Sequence, residues 1–146
     1  MSAALDQLVE LTLEAVELGN LTPILLIDGR AGSGKSTLAE QLKNRLFKEG
    51  ESLPRVIHMD DLYEGWRGLQ TGVDILNRQI LGQLAKGVGA SWQEWDWAAG
   101  ERGKWREFRG GTPLIAEGVG ALNRISAEHS AIRVWLEVDE QVRFER

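Results

Sequence analysis

Residues 27–42 read IDGRAGSGKSTLAEQL. A short apolar run, TPILLID at 22–28, leads into this stretch, and Leu38, Leu42 and Leu46 recur every fourth residue beyond its glycines. The pattern predicts a strand buried on both faces, a glycine-rich turn, and a helix over 35–48 with one apolar stripe. Gly29, Gly34, Lys35 and Ser36 keep the spacing G-x-x-x-x-G-K-[ST], in the strand–loop–helix setting that this phosphate-holding motif requires.

The residue types suit that task. Glycines at 29, 32 and 34 reach backbone angles closed to other residues and let the chain approach an anion with no Cβ in the way. The loop amides and the helix N-terminus then face the phosphates. Gly29, Arg30, Ala31, Gly32, Ser33, Gly34, Lys35, Ser36 and Thr37 are therefore the candidate nucleotide-binding residues. Lys35 is expected to bridge β- and γ-phosphate oxygens, Thr37 to bond the α-phosphate, and the Ser36 hydroxyl to ligate Mg²⁺, which takes oxygen ligands and keeps several waters. The competing reading, a chance glycine-rich turn, leaves the flanking strand and helix unexplained.

Bulk properties narrow the setting. The chain has 146 residues, one domain's worth, and a net charge of −5 with interspersed signs. Nucleic-acid binders need basic surfaces to neutralise phosphates, so nucleic acid is not an expected partner. There are no cysteines, which excludes a disulfide framework and fits the reducing cytoplasm. No apolar run reaches the ~18 residues that span a membrane, and the acidic start lacks the basic region of a signal peptide.

Outward from the loop, Leu5, Leu8, Val9, Leu13 and Val16 share one face of a predicted N-terminal helix within 1–20. PRVIHMD (54–60), TPLIAEG (112–118) and AIRVWLEV (131–138) read as further buried strands, and 72–87 as a helix despite Gly82. Strands alternating with helices predict an α/β domain, a three-layer parallel sheet with helices on both faces, over 1–146. The period breaks over 88–111, which reads as an irregular excursion or a small hairpin over one end of the sheet. Trp95, Trp97 and Trp105 there either offer flat faces to a ligand or cover the sheet edge; the second role is expected for at least two of them, and Trp66 and Trp135 are assigned to packing. Asp139 starts another predicted helix, cut after about two turns at Arg146, which predicts a C-terminally incomplete domain.

Two acidic clusters follow predicted strands. VIHMDDLY (56–63) places Asp60 and Asp61 at the strand ends where ligands of open parallel sheets sit. A carboxylate there accepts a proton from an attacking hydroxyl or holds a metal-bound water, and either acid could instead cap the next helical turn. PLIAEGVGAL (113–122) puts Glu117 at a second such end, placed for a metal or for solvent. His58, in a buried strand, reads as a hydrogen-bonded core residue.

IDGRAGSGKSTLA, HMDDLY, EWDW and LIAEGVGAL, in this order, resemble the uridine kinase-like branch of the P-loop nucleoside and nucleotide kinases over most of 23–146. The resemblance implies a P-loop NTPase fold of the nucleoside and nucleotide kinase type, with ATP and Mg²⁺ as cofactors. It implies Asp60 as the general base, with Lys35 as the other catalytic residue. It implies Ser36, Glu117 and Asp60 at the metal, and Tyr63, Asp74, Asp96 and Arg102 at the acceptor. Arg143 and Arg146 correspond to the arginines on the lid side of the phosphates. The branch's D-S-F-Y block reads Asp60-Asp61-Leu62-Tyr63 here, and the histidine that reads a pyrimidine falls on Gly100, so pyrimidine specificity does not transfer.

The expected function is ATP-dependent transfer of a phosphoryl group to a hydroxyl of a small molecule: a nucleoside, a sugar, a vitamin precursor or a nucleoside monophosphate. The alternative is a nucleotide-binding regulatory module that transfers nothing to a small molecule.

Overall fold

The computed structural model describes residues 2–137 and 142–145. In chain order these form α1 (Ser2–Glu17), β1 (Ile24–Gly29), α2 (Lys35–Lys48) and β2 (Arg55–His58). A 3₁₀ turn at Met59–Asp61 and another at Gly65–Arg67 precede α3 (Leu69–Asp74), which runs through a π-helical segment, Ile75–Leu81, into α4 (Gly82–Ala85). Then come β3 (Ala90–Asp96), β4 (Glu101–Phe108), β5 (Leu114–Glu117), α5 (Arg124–His129), β6 (Ile132–Leu136) and β7 (Val142–Glu145).

The main sheet has the order β2-β5-β1-β6-β7. β1, β2, β5 and β6 run parallel, and β7 closes one edge antiparallel to β6. All six residues of β1 are buried, because helices cover both faces of the sheet. Leu25 and Ile27 pack towards α1 and α2 with Leu8, Leu38, Leu42 and Leu46. Ile24 and Leu26 face the opposite core, with Leu76, Ile80, Trp92 and Phe108. This is the expected α/β fold, and it carries the end of β1 and the start of α2 to the same edge as the ends of β2 and β5.

Two local expectations change. A helix was expected to run on from Asp139, but residues 142–145 form the antiparallel edge strand β7; the helix start itself lies outside the described residues. Val142-Arg143-Phe144-Glu145 alternates apolar and charged residues, and β6 offers a free edge, so pairing across the sheet overrides the local helix signal. The excursion at 88–111 is an antiparallel hairpin, β3 with β4, whose register shifts between Gln93 and Trp95. Its buried anchors are Trp92 and Phe108, while Trp97 and Trp105 stay largely exposed. The tryptophans expected to cover the sheet edge are thus outdone by Trp92, which alternation places on the inner face of β3.

Candidate active site

The glycine loop joins β1 to α2 at a crowded point. Gly29 has φ 150°, and a Cβ there would stand 2.1 Å from the Leu136 carbonyl oxygen of β6. Only glycine fits this approach between two paired strands. Beyond it the loop opens: nothing lies within 4 Å of where a Cβ on Gly32 would stand, and its φ is 80°. The amide of Ser33 is engaged by the Arg30 carbonyl at 3.1 Å. The Ser33 hydroxyl is buried without a hydrogen-bond partner. Lys35, itself buried, donates from Nζ to the Arg30 carbonyl at 2.8 Å, so its ammonium lies across the loop. An open cradle of backbone, an ammonium spanning it and a helix N-terminus are the groups from which anion sites are built, and these residues fit a nucleotide's phosphates.

An acid and a histidine at neighbouring strand ends meet at this loop. Glu117, buried at the end of β5, accepts from Ser36 Oγ at 2.9 Å. His58, at the end of β2, pairs through Nδ1 with the same carboxylate oxygen, and its Nε2 stands 3.8 Å from Glu40 Oε1 of α2. The hydrogen bond to Glu117 raises the His58 pKa above its ordinary value against the opposing effect of burial. Gly118 permits this convergence: with φ 136°, it sits where a Cβ would come within 2.6 Å of Met59 Cβ, so the β5 end and the Asp60 turn lie side by side. Among the described residues no group of three or more His, Cys, Asp or Glu side chains could hold a metal. Ser36 and Glu117 supply two oxygen donors, and Mg²⁺ is usually held by one or two protein oxygens with phosphates and waters completing its shell.

Asp60 and Asp61 part company in the 3₁₀ turn. Asp60 is exposed, and its carbonyl accepts from Trp97 Nε1 at 2.8 Å. Asp61 turns towards a cavity between β2 and the hairpin, lined also by His58, Trp92, Glu94 and Arg106. Burial raises the Asp61 pKa, and the Glu94 carboxylate adds to the rise. Tyr63 donates its hydroxyl to the Val119 carbonyl. Burial pushes the phenol's pKa up, and the carboxylates of Asp60, Asp28 and Glu117 push it further. Tyr63 is therefore the group on which the acids of three strand ends act together.

The remaining expected acceptor residues are held in internal bonds. Arg102 donates to the Leu62 and Gln93 carbonyls at 3.1 and 3.2 Å and to Glu64 at 3.0 Å, and its guanidinium lies 5.5 Å from the centre of the Trp95 ring. Asp96 accepts from the amides of Ala98 and Ala99 at 3.0 Å and so shapes the hairpin turn. Asp74 accepts from Gln70 at 3.0 Å within its own helix. Arg143 lies in β7 opposite Trp135, its side chain not described, and Arg146 lies outside the described residues.

Two residues escaped the sequence reading. Asp28, buried at the end of β1, accepts from the amide of Gly29 at 2.6 Å and from those of Gly120 and Leu122 at 3.1 and 3.0 Å. Burial raises its pKa, opposed by these amides and then by Lys35. A lone acid closing an apolar strand was its only signal. Trp66, assigned to packing, is 94% exposed and stands 5.1 Å from Trp97, ring centre to ring centre.

Two solved structures with this fold are kinases by name. One, from Bacillus stearothermophilus and provisionally called a uridine kinase, superposes with a TM-score of 0.72 at 24% identity, covering 92% of this chain and 81% of that one. Another, from Silicibacter sp. TM1040 and provisionally called a fructose transport system kinase, gives 0.67 at 20% identity, covering 90% and 73%. No protein-family model and no curated protein matches the sequence. The chain shares the P-loop kinase fold of these structures.

Proposed function

We propose that this chain transfers the γ-phosphoryl group of ATP to a hydroxyl of a small molecule. The observation that carries the reading is the meeting of Ser36, Glu117 and His58 at the mouth of the glycine loop, with Asp60 on the adjoining turn. Lys35 would exchange the Arg30 carbonyl for phosphate oxygens, and the loop amides would hold the nucleotide in line. Ser36 and Glu117 would hold Mg²⁺, which offsets phosphate charge when bound. Asp60, exposed and beside Tyr63, would take the proton of the attacking hydroxyl; Asp61 faces the hairpin cavity instead. Arg143 and Arg146 remain the candidates for phosphate contacts on the lid side.

The names of the two structural neighbours support a nucleoside or a sugar as acceptor. A cytoplasmic setting supplies ATP, and among the described residues no helix is long and apolar enough to cross a membrane. A regulatory nucleotide-binding module is the second reading. It is favoured by the internal commitment of Arg102, Asp96 and Asp74, which leaves three expected acceptor contacts occupied.

ADP release with ATP and Mg²⁺, measured across nucleosides, sugars, vitamin precursors and nucleoside monophosphates, tests the proposal. Stimulation by one acceptor, lost in Asp60→Asn with ATP affinity retained, is the expected result. A flat panel from protein that binds ATP would favour the module.

A further inference from the structure

His58 and Glu117 are register partners across the parallel pair of β2 and β5. Each lies two residues beyond an apolar side chain that packs on the α2 face of the sheet, Val56 in β2 and Ile115 in β5. Alternation along a strand therefore brings both side chains out on that face. Above them Ser36 and Glu40, four residues apart, share one side of α2. Strand register and helix period together gather the four side chains.

The bonds among them have a direction. Ser36 Oγ donates to Glu117 Oε2 at 2.9 Å, and His58 Nδ1 bonds the same oxygen. A carboxylate only accepts, so the hydrogen of the second bond is on Nδ1. Among the described residues the other oxygen, Glu117 Oε1, receives no hydrogen bond. The far side of the imidazole also faces a carboxylate, with Nε2 at 3.8 Å from Glu40 Oε1.

His58 is not a space-filling core residue. Its side chain is 35% exposed and borders the cavity between β2 and the hairpin. Glu117 is buried, and a buried carboxylate needs donors. Ser36 and His58 supply two, both to one oxygen, so the carboxylate cannot turn about its last bond without breaking both. Carboxylates that ligate metals are held by such outer partners, whose loss weakens the metal by about 10–100-fold.

We propose that His58 is a positioning residue: through Nδ1 it fixes the Glu117 carboxylate by Oε2 and keeps Oε1 available to Mg²⁺ or to one of its waters. The proposal rests on the reading of Ser36 and Glu117 as the magnesium-holding pair, and it requires no particular acceptor.

The test compares His58→Asn with His58→Gln. Both keep a neutral amide at the end of β2, but only asparagine hangs its nitrogen where Nδ1 stands. Each is titrated calorimetrically with a non-hydrolysable ATP analogue, with Mg²⁺ and without. The expected result is that His58→Gln weakens binding with Mg²⁺ about tenfold or more and binding without it less than about twofold, while His58→Asn stays within about threefold of the unsubstituted chain in both conditions. A second measurement needs no variant and so does not depend on the variants folding. The chain has two histidines, so the ring nitrogens are resolved by ¹⁵N NMR, and the hydrogen on His58 Nδ1 should persist when the analogue and Mg²⁺ bind.

Equal losses with and without metal, the same behaviour in both variants, or departure of the Nδ1 hydrogen on metal binding would overturn the inference and leave phosphotransfer standing. The expected pattern, from a protein whose ADP release no acceptor stimulates, would uphold the positioning role and overturn transfer. Nucleotide binding by the unsubstituted chain that is indifferent to Mg²⁺ would overturn the inference together with the metal role of Ser36 and Glu117.

Discussion

Ser36 and Glu117 are 81 residues apart in the chain, yet Ser36 Oγ donates to Glu117 Oε2 at 2.9 Å. The bond joins the first turn of α2 to the end of β5 and brings a hydroxyl and a carboxylate to the mouth of the phosphate loop. If these oxygens hold Mg²⁺, Glu117→Gln weakens the magnesium-dependent part of ATP binding by about 10–100-fold. Calorimetric titration with and without Mg²⁺ checks this: binding without the metal is expected to change little, and equal losses in both conditions would assign Glu117 a structural role.

Lys35 is buried across the loop and bonded to the Arg30 carbonyl. Lys35→Ala is expected to lower turnover by about 100-fold or more, the scale of removing one preorganised charge-stabilising donor. The urea midpoint of the ligand-free protein should move little, because that ammonium makes one hydrogen bond to the chain.

Gly29→Ala is expected to act on the fold. Its Cβ would stand 2.1 Å from the Leu136 carbonyl, so β1 and β6 must separate or the loop must twist. A loss above ~1 kcal/mol in chemical denaturation is expected, more than the entropic gain of replacing a glycine. A Gly32→Ala variant, where the space is open, separates local strain at a positive φ from this clash.

Asp28 gives a pH dependence. Its folded pKa is raised, chiefly by burial. Such a carboxyl favours the folded state fully below its ordinary value near 3.8, and that contribution fades as pH rises through the raised value. The stability lost in Asp28→Asn should therefore be largest in mild acid and shrink towards neutrality, read from denaturation midpoints across that range. Hydrogen exchange should accelerate at Gly120 and Leu122, whose amides lose their carboxylate acceptor. A loss that grows with pH would contradict the account.

Much of this was legible in the sequence because it is local. The apolar run ending at Asp28, the glycines and the four-residue leucine period specify strand, loop and helix within about 25 consecutive residues. The convergence of the ends of β2 and β5 on the loop follows from parallel topology, which the alternation of strands and helices already implied. What was not legible depends on partners distant in the chain. Nothing near Trp66 announces that it is exposed, because its neighbour Trp97 is supplied by the hairpin. Arg102, expected at the acceptor, is instead met by the Leu62 carbonyl and Glu64, which only folding brings to it. Residues 142–145 become a strand because β6 presents an open edge.

In the proposed reaction the γ-phosphoryl group ends on an acceptor hydroxyl, with Asp60 taking the proton. Phosphorus NMR of the protein with ATP, Mg²⁺ and the acceptor panel follows the group itself. A phosphomonoester signal that grows with ADP, absent in Lys35→Ala and strongly reduced in Asp60→Asn, is the predicted result. Inorganic phosphate alone, formed at one rate whatever acceptor is present, would contradict it and leave a nucleotide-hydrolysing module.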